Sequence, residues 1–461
     1  MKIAIAGASG FVGQLLLEGL SKEFDLIALG RSVPRHPLGE GQREITWRNC
    51  DLFSLLQIEN ALKGADIAIY LVHSMLPRAR LTQSSFEDCD LLLADNFARG
   101  AKIAGLQRII YLSGLIPEGP GLSKHLRSRK EVERVLSSQG TPVTTLRAGL
   151  ILGAQGSSFQ MLYLLVKRLP VMICPSWTQT RTQCIAAPEV VDLIRFCILD
   201  SRTIGRTFDI GSPEVLNYQG LMAMLAEVMG KHRRFFSIRY FTPGLSRLWV
   251  QLITGASRNL VSPLVQSLKH EMIVRDPSLL EMYGKPLMGM REALKKCLVN
   301  IKPTLRSSTR QRSQQLRGDS EVRSIQRLPL PEGRTAAWIA DEYFKWLPSF
   351  FSPLILVHKT DEENVWVFRF AFLKLPLLKL WHSRLRSTED RHLFYIRGGI
   401  LAKKDQPSAR LEFREVLNGE ASIAAIHEFK PSLPWPIYKY SQAIIHLWVM
   451  NSFRKHLSSK H

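Results

Sequence analysis

From Lys2 to Gly153 short apolar runs alternate with longer amphipathic ones. KIAIAG (residues 2–7), DLIALG (25–30), ADIAIYLV (65–72) and RIIYLSG (108–114) are brief, nearly all apolar, and closed or followed by Gly, His or Ser. Strands buried on both faces read this way. Another strand precedes Asn49-Cys50-Asp51-Leu52, and VTTLRAGLILG (143–153) supplies a sixth. Between them FVGQLLLEGLSK (11–22) and CDLLLADNFARGAKIAG (89–105) carry apolar residues at helical spacing. Strand and helix in alternation predict an α/β fold, a doubly wound parallel sheet with helices on both faces.

The pattern then changes twice. Residues 154–300 are more helical, with helices expected over SFQMLYLLVKRLP (158–170), EVVDLIRFCIL (189–199) and YQGLMAMLAEVMG (218–230), the last capped by Asn217. They form a helical lobe on the substrate side of the sheet. The stretch from Pro243 to Leu268 is helical and apolar, suited to lining a pocket or packing on a second domain. Residues 301–330 read as a basic linker: between Lys302 and Arg327 stand seven Lys or Arg against two acids, with few large apolar residues. Beyond it the period shortens towards two in ENVWVFRFAFLKL, HLFYIRGGILAKK, ARLEFREVLNG and EASIAAIHEFK, before a helix from about Pro436 to Leu457. Residues 331–461 are therefore expected to be an α+β domain, a curved sheet wrapping a terminal helix.

Length and charge constrain the function classes. A chain of 461 residues exceeds what one hydrophobic core supports, so two domains are expected, the first over residues 1–300. The formal net charge of +22 draws anionic partners. No zinc spacing, helix-turn-helix pattern or aromatic-interleaved basic stripe accompanies it, so no specific nucleic-acid reader is expected. Six scattered cysteines without a CxxC pair suit reduced thiols in the cytoplasm. Met1 leads straight into a strand, leaving no room for a signal peptide. Lys167, Arg168, Lys374 and Lys379 interrupt the best apolar stretches, so no transmembrane helix is expected. The stretch from Trp435 to His456 reads first as a core-packing helix, with peripheral membrane contact as the alternative.

Candidate chemistry begins at GASGFVG, Gly7 to Gly13. A pyrophosphate needs backbone N–H donors at a helix N-terminus, and glycine lets the chain turn tightly and approach the phosphates. Gly7, Gly10 and Gly13 are spaced for this, with Ser9, Phe11 and Val12 between them, and the loop follows a strand and opens a helix. The setting predicts a Rossmann dinucleotide-binding domain. At the end of the second strand an acid selects NAD and a cation meets the 2′-phosphate of NADP. Arg31 and Ser32 stand there, so NADP is favoured over NAD. Asp51, with Leu52, is placed to meet the adenine amine; the alternative is a helix cap. Val72 and His73 follow the fourth strand at the cofactor edge.

The GxxGxxG loop, Cys-Asp-Leu after strand three and Ser113 closing strand five together resemble the atypical extended branch of the short-chain dehydrogenase/reductases over residues 1–300. More narrowly, YLVHSM (70–75), HLRSRKEVE (125–133), RAGLILGAQGSSFQML (147–162) and LPVMICPSW (169–177) resemble a bacterial subfamily of NAD(P)-binding proteins. In that subfamily the Rossmann part precedes a C-terminal domain of unknown function similar to the helix-grip (START-like) lipid- and ligand-binding superfamily. The resemblance implies a catalytic Ser near the end of strand five and a Tyr-x-x-x-Lys on the next helix. Ser113 fills the serine position; His125 and Arg129 stand where Tyr and Lys would.

That departure leaves two readings. In the first, an NADP-dependent oxidoreductase acts on an apolar small molecule, with His125 as proton relay, since imidazole titrates near neutrality, Ser113 as its partner and Arg129 supplying fixed charge. In the second, the protein is a non-catalytic NADP(H)-binding sensor or hydrophobic-ligand carrier. No metal site is expected.

Overall fold

The computed structural model describes residues 1–31, 45–73, 81–238, 243–299, 301, 321–360, 364–372, 375–403 and 406–460. The chain divides into two compact units, residues 1–76 with 93–312 and residues 77–92 with 313–461.

In chain order the first elements are β1 (Lys2–Ala6), α1 (Phe11–Leu20), β2 (Asp25–Gly30), β3 (Ile45–Asn49), α2 (Leu55–Leu62), β4 (Ile67–Tyr70), β5 (Leu81–Gln83), α3 (Phe86–Ile103), β6 (Arg108–Gly114), α4 (Lys124–Ser137) and β7 (Val143–Ala148). They are followed by α5 (Ser157–Arg168), α6 (Ala187–Leu199) and α7 (Tyr218–Val228). All of these strands except β5 join the strand Thr207–Ile210 in a seven-stranded sheet, ordered Thr207–Ile210, β7, β6, β4, β1, β2, β3. Every pairing is parallel, as the runs without polar alternation require. Strand order reverses between β1 and β4. Ligands of such sheets bind outside the carboxyl ends of the strands at that reversal, and the glycine loop leaves β1 there.

The core explains the helical spacing. Leu16 and Leu20 of α1 and Val190, Leu193 and Ile194 of α6 pack with Ile3, Ile5, Ile67 and Ile110 of the sheet, all fully or nearly fully buried. Each such side chain contributes about 1.5–3 kcal/mol. Beyond the sheet, α5, α7 and the helix Met290–Val299 pack around Phe159, Leu221 and Leu294 as the expected helical lobe. Asn217 caps α7, its side chain accepting from the Gly220 N–H. The apolar stretch Pro243–Leu268 forms two helices, Pro243–Thr254 and Arg258–Ser267.

The second unit holds an eight-stranded sheet in the order Ile355–Thr360, Val365–Phe370, Pro376–His382, Arg391–Gly398, Arg410–Val416, Ala421–Phe429, Val322–Pro329, β5. All its pairings are antiparallel except that of β5. The helix Ala336–Phe350 and the terminal helix Gln442–Ser458 share one core with the sheet, where Tyr343 lies 5.5 Å from Phe413 and 5.1 Å from Phe453 between ring centroids. The terminal helix buries Val449, Met450, Phe453 and Leu457. One continuous helix from Pro436 was expected; the chain instead breaks at Ser441, between Trp435–Tyr440 and Gln442–Ser458.

Two boundaries differ from the expected ones. Val322–Pro329, inside the span read as linker, is a strand, because its alternate residues pack in the second unit's core. Residues 302–320 of that linker lie outside the described residues. Residues 77–92, expected in the first domain, belong to the second unit, where β5 pairs in parallel with Val322–Ser324. Among the described residues no helix is long and apolar enough to cross a membrane, and no His, Cys, Asp and Glu cluster could hold a metal ion.

Candidate functional site

The glycine loop is shaped for close approach. Gly7 has φ +91°, and the Gly10 N–H donates to the Gly7 carbonyl at 2.9 Å. A Cβ on Gly13 would lie 2.3 Å from the Gly7 oxygen and 2.7 Å from Ala8 atoms, so only glycine permits this turn. Gly10 caps α1 with extended backbone, and no side chain fills the cap. First-turn N–H groups lack intrahelical partners and, with the helix dipole, favour an anion. The cradle therefore fits a dinucleotide pyrophosphate.

The other expected cofactor residues follow the strands at the same edge of the sheet. Ser9 is exposed in the loop, and Arg31 is exposed directly after β2; Ser32 lies outside the described residues. Asp51 follows β3, and its carboxylate accepts from the Phe53 N–H at 3.2 Å, shaping the turn into α2, whose cap is Ser54. Leu52 is buried, and its carbonyl accepts from Asn96 Nδ2 at 2.9 Å. Val72 is buried beyond β4, and His73 follows it.

Helix α4 carries the residues that replace Tyr and Lys. Ser123 caps it, accepting from the Leu126 N–H at 3.3 Å, which starts the helix so that His125 and Arg129 fall one turn apart on one face. His125 is buried, and its Nδ1 lies 3.2 Å from His73 Nε2. One nitrogen carries the shared proton and the other accepts. Arg129 donates through Nη1 to the Tyr111 hydroxyl at 3.3 Å.

Ser113 is held differently from the expectation. Its hydroxyl donates to Glu133 Oε1 at 2.8 Å rather than pairing with His125. Arg147 Nε and Nη2 donate to the two oxygens of the same carboxylate, at 3.0 and 2.6 Å. Burial opposes the Arg147 charge, yet its bonds to Glu133 raise its pKa. Glu133 and Arg147 were given no role from sequence. Arg147 stands opposite Ser113 in the β6–β7 register and Glu133 arrives two turns after His125, so strand pairing combined with helical spacing is the signal that finds them.

The glycine loop, Ser113, His125 and Arg129 share one cavity of about 400 Å³. Gly7, Gly10, Phe11, Val12 and Gly13 form one wall, with Ser113, His125 and Arg129 beside them. The remaining wall is apolar: Met161 and Leu165 of α5, Met222 of α7, Val261 and Leu264 of the helix Arg258–Ser267. Ser9, Arg31, Asp51, Leu52, Val72 and His73 do not line it.

Fold and loop define an NAD(P)-binding domain of Rossmann type. Residues 7–163 match the family described as NAD(P)H-binding. The auxiliary protein GraX of Staphylococcus aureus is 32 % identical over 144 residues, 31 % of this chain and 43 % of that protein, so the chain spans less than half of that relative's length. A ceramide reductase of Caulobacter vibrioides is 26 % identical over 244 residues, 53 % of this chain and 74 % of the reductase. Among solved structures, the NADPH-dependent quinone oxidoreductase of Escherichia coli in complex with NADPH shares the fold with a TM-score of 0.50 and 18 % identity, covering 65 % of this chain and all of that one.

Proposed function

We propose that the first unit is an NADP-dependent oxidoreductase acting on an apolar small molecule at the cavity beside the glycine loop. The observation that carries this reading is the continuity of that cavity, which joins the pyrophosphate cradle and His125 to a wall of aliphatic side chains. A ceramide reductase and a quinone oxidoreductase among the similar proteins agree with an apolar substrate.

When bound, the reduced nicotinamide supplies a hydride. A carbonyl substrate then requires one proton at its oxygen. His125 lines the cavity and delivers that proton, and His73, 3.2 Å away, replaces it. Arg129 places a permanent charge at the same wall, suited to a ribose or to developing negative charge on the substrate oxygen. Ser113 donates to Glu133 and so turns lone pairs, not its proton, towards the cavity; it accepts from a substrate or ribose hydroxyl. Arg31 would meet a 2′-phosphate.

The experiment is turnover of NADPH and NADH with long-chain ketones, aldehydes and quinones, followed by nicotinamide absorbance. NADPH oxidation that is lost in His125→Ala at unchanged NADPH affinity supports the reading. Tight binding without turnover on every class overturns it. Arg31→Asp should weaken NADPH more than NADH, and equal weakening removes the NADP preference.

A second reading, a hydrophobic-ligand carrier in the second unit, is favoured by an observation of its own. Between the sheet and the terminal helix of that unit lies a cavity of about 210 Å³ lined by Leu347, Phe368, Leu380, Leu411 and Val449. It exceeds the roughly 150 Å³ that accommodates benzene in an apolar protein core. Both readings hold in one chain if the two units serve the same class of molecule.

A further inference from the structure

We propose that one end of the second unit's sheet is a docking surface for an anionic lipid bilayer. Four stretches of chain meet there. The Ala371 N–H donates to the Leu354 carbonyl, the Ile400 N–H to the Pro376 carbonyl, the Lys403 N–H to the Lys430 carbonyl and the Ser432 N–H to the Leu401 carbonyl, each within 3.2 Å. The segments around residues 354, 371–372, 375–376, 398–403 and 430–440 are thereby stitched into one rim. That rim exposes large apolar side chains: Phe372 at 78 % and Tyr440 at 71 %, with Leu354, Leu375, Ile400 and Ile437 close to half exposed. Single exposed apolar residues are ordinary, but six on one stitched rim mark an interaction site.

Charge selects the occupant. Lys403, Lys430 and Lys439 belong to the rim, and from Phe429 to His461 the chain holds no Asp or Glu at all. Glu321 pairs with Lys430 at 3.7 Å, and with Lys403 and Lys439 the rim keeps an excess of cations. Apolar and aromatic side chains interleaved with lysines in excess match a surface whose interior is hydrocarbon and whose headgroups are negative. Tyrosine at such a level places its ring in the interface and its hydroxyl in water. A protein partner of complementary shape would not require this one-sided charge.

The position of the cavity strengthens the assignment. Phe351, Ile355, Leu377, Leu401 and Tyr438 line the 210 Å³ cavity and are within three residues of exposed rim positions. An apolar molecule leaving a bilayer at this rim meets the cavity directly behind it. This inference stands on the second unit alone and does not depend on the reductase reading.

The test is co-sedimentation of the full-length protein with phosphatidylcholine vesicles and with vesicles containing about 30 % phosphatidylglycerol. Binding is expected only to the anionic vesicles and should weaken as salt shortens the screening length. Phe372→Glu combined with Tyr440→Glu should lower the bound fraction at least about tenfold. Because both side chains are mostly exposed, the thermal unfolding of the double variant should match the parent. Lys403→Glu with Lys439→Glu should act in the same direction through charge alone. No binding to anionic vesicles, equal binding by the Phe372 and Tyr440 variant, or a dimer in solution that the same substitutions dissociate would overturn the proposal.

Discussion

Ser113 and Glu133 are joined by a hydrogen bond of 2.8 Å in which the serine is the donor. A serine so held keeps its proton on the carboxylate side, and its lone pairs are what a ligand meets. The carboxylate is itself clamped by Arg147, which stands opposite Ser113 on the neighbouring strand. Glu133→Ala removes the bond from Ser113 and the two from Arg147 and leaves a partly buried guanidinium without them, so unfolding free energy should fall by about 1–3 kcal/mol. Glu133→Gln, which keeps an accepting oxygen for Ser113, should cost less. Urea unfolding midpoints of the two variants measure the difference.

The His73 and His125 rings, with centroids 4.9 Å apart, act as a pair only if proton supply limits turnover. His73→Asn should then reduce kcat by about tenfold or more, with NADPH affinity unchanged, and His125→Ala should reduce it further, within the 10²–10⁴-fold range of a positioned acid. Steady-state kinetics beside a fluorescence titration of NADPH separate the two effects. An unchanged kcat in His73→Asn would leave His125 as a single donor.

Gly13→Ala forces a methyl group onto the Gly7 carbonyl oxygen and Ala8. Backbone, not a flexible side-chain tip, occupies that space, so the loop must open at the place where it would hold the pyrophosphate. NADPH affinity is expected to fall about 100-fold or more while the far-ultraviolet circular dichroism stays that of the parent. Isothermal titration and the spectrum together check this.

His446 lies in the second unit with Nε2 2.9 Å from Ser324 Oγ, and burial lowers its pKa from 6.5 to about 4. Between these values the unfolded chain binds a proton that the folded chain does not, so stability rises with pH and is lost as pH falls from about 6.5 towards about 4. This residue contributes a slope of up to about 1.4 kcal/mol per pH unit. His427, fully buried and also lowered to about 4 with desolvation its largest cause, acts in the same direction. In His446→Leu the fall in unfolding free energy between about pH 6.5 and about pH 4.5 should be smaller than in the parent. An equal fall would show that His446 does not titrate in this way.

Sequence alone determined the features that repeat locally. Short apolar runs without polar alternation, closed by Gly, His or Ser and separated by helical stretches, read as strands of a parallel sheet. The three glycines after the first run specified a turn that no Cβ fits, and Asn217 announced the start of α7. Such signals are legible because backbone geometry and helical or strand period act over a few neighbouring residues. The tertiary structure decided which distant residues meet. RLEFREV alternates like a strand with one wet face, yet Glu412 and Arg414 are buried: Arg391 and Arg414 donate to the Glu412 carboxylate, and they hold it well below the usual carboxylate range although burial pushes the other way. Residues 81–83 pair beyond position 321 because a parallel edge was open there, not because their own pattern asks for it. At the candidate site the sequence named Ser113, His125 and His73, but not that Ser113 faces Glu133 or that the two imidazoles touch. Those contacts arise from the register of β6 on β7 and from the packing of α4 against those two strands, and pairings across long separations leave no periodic trace in the chain.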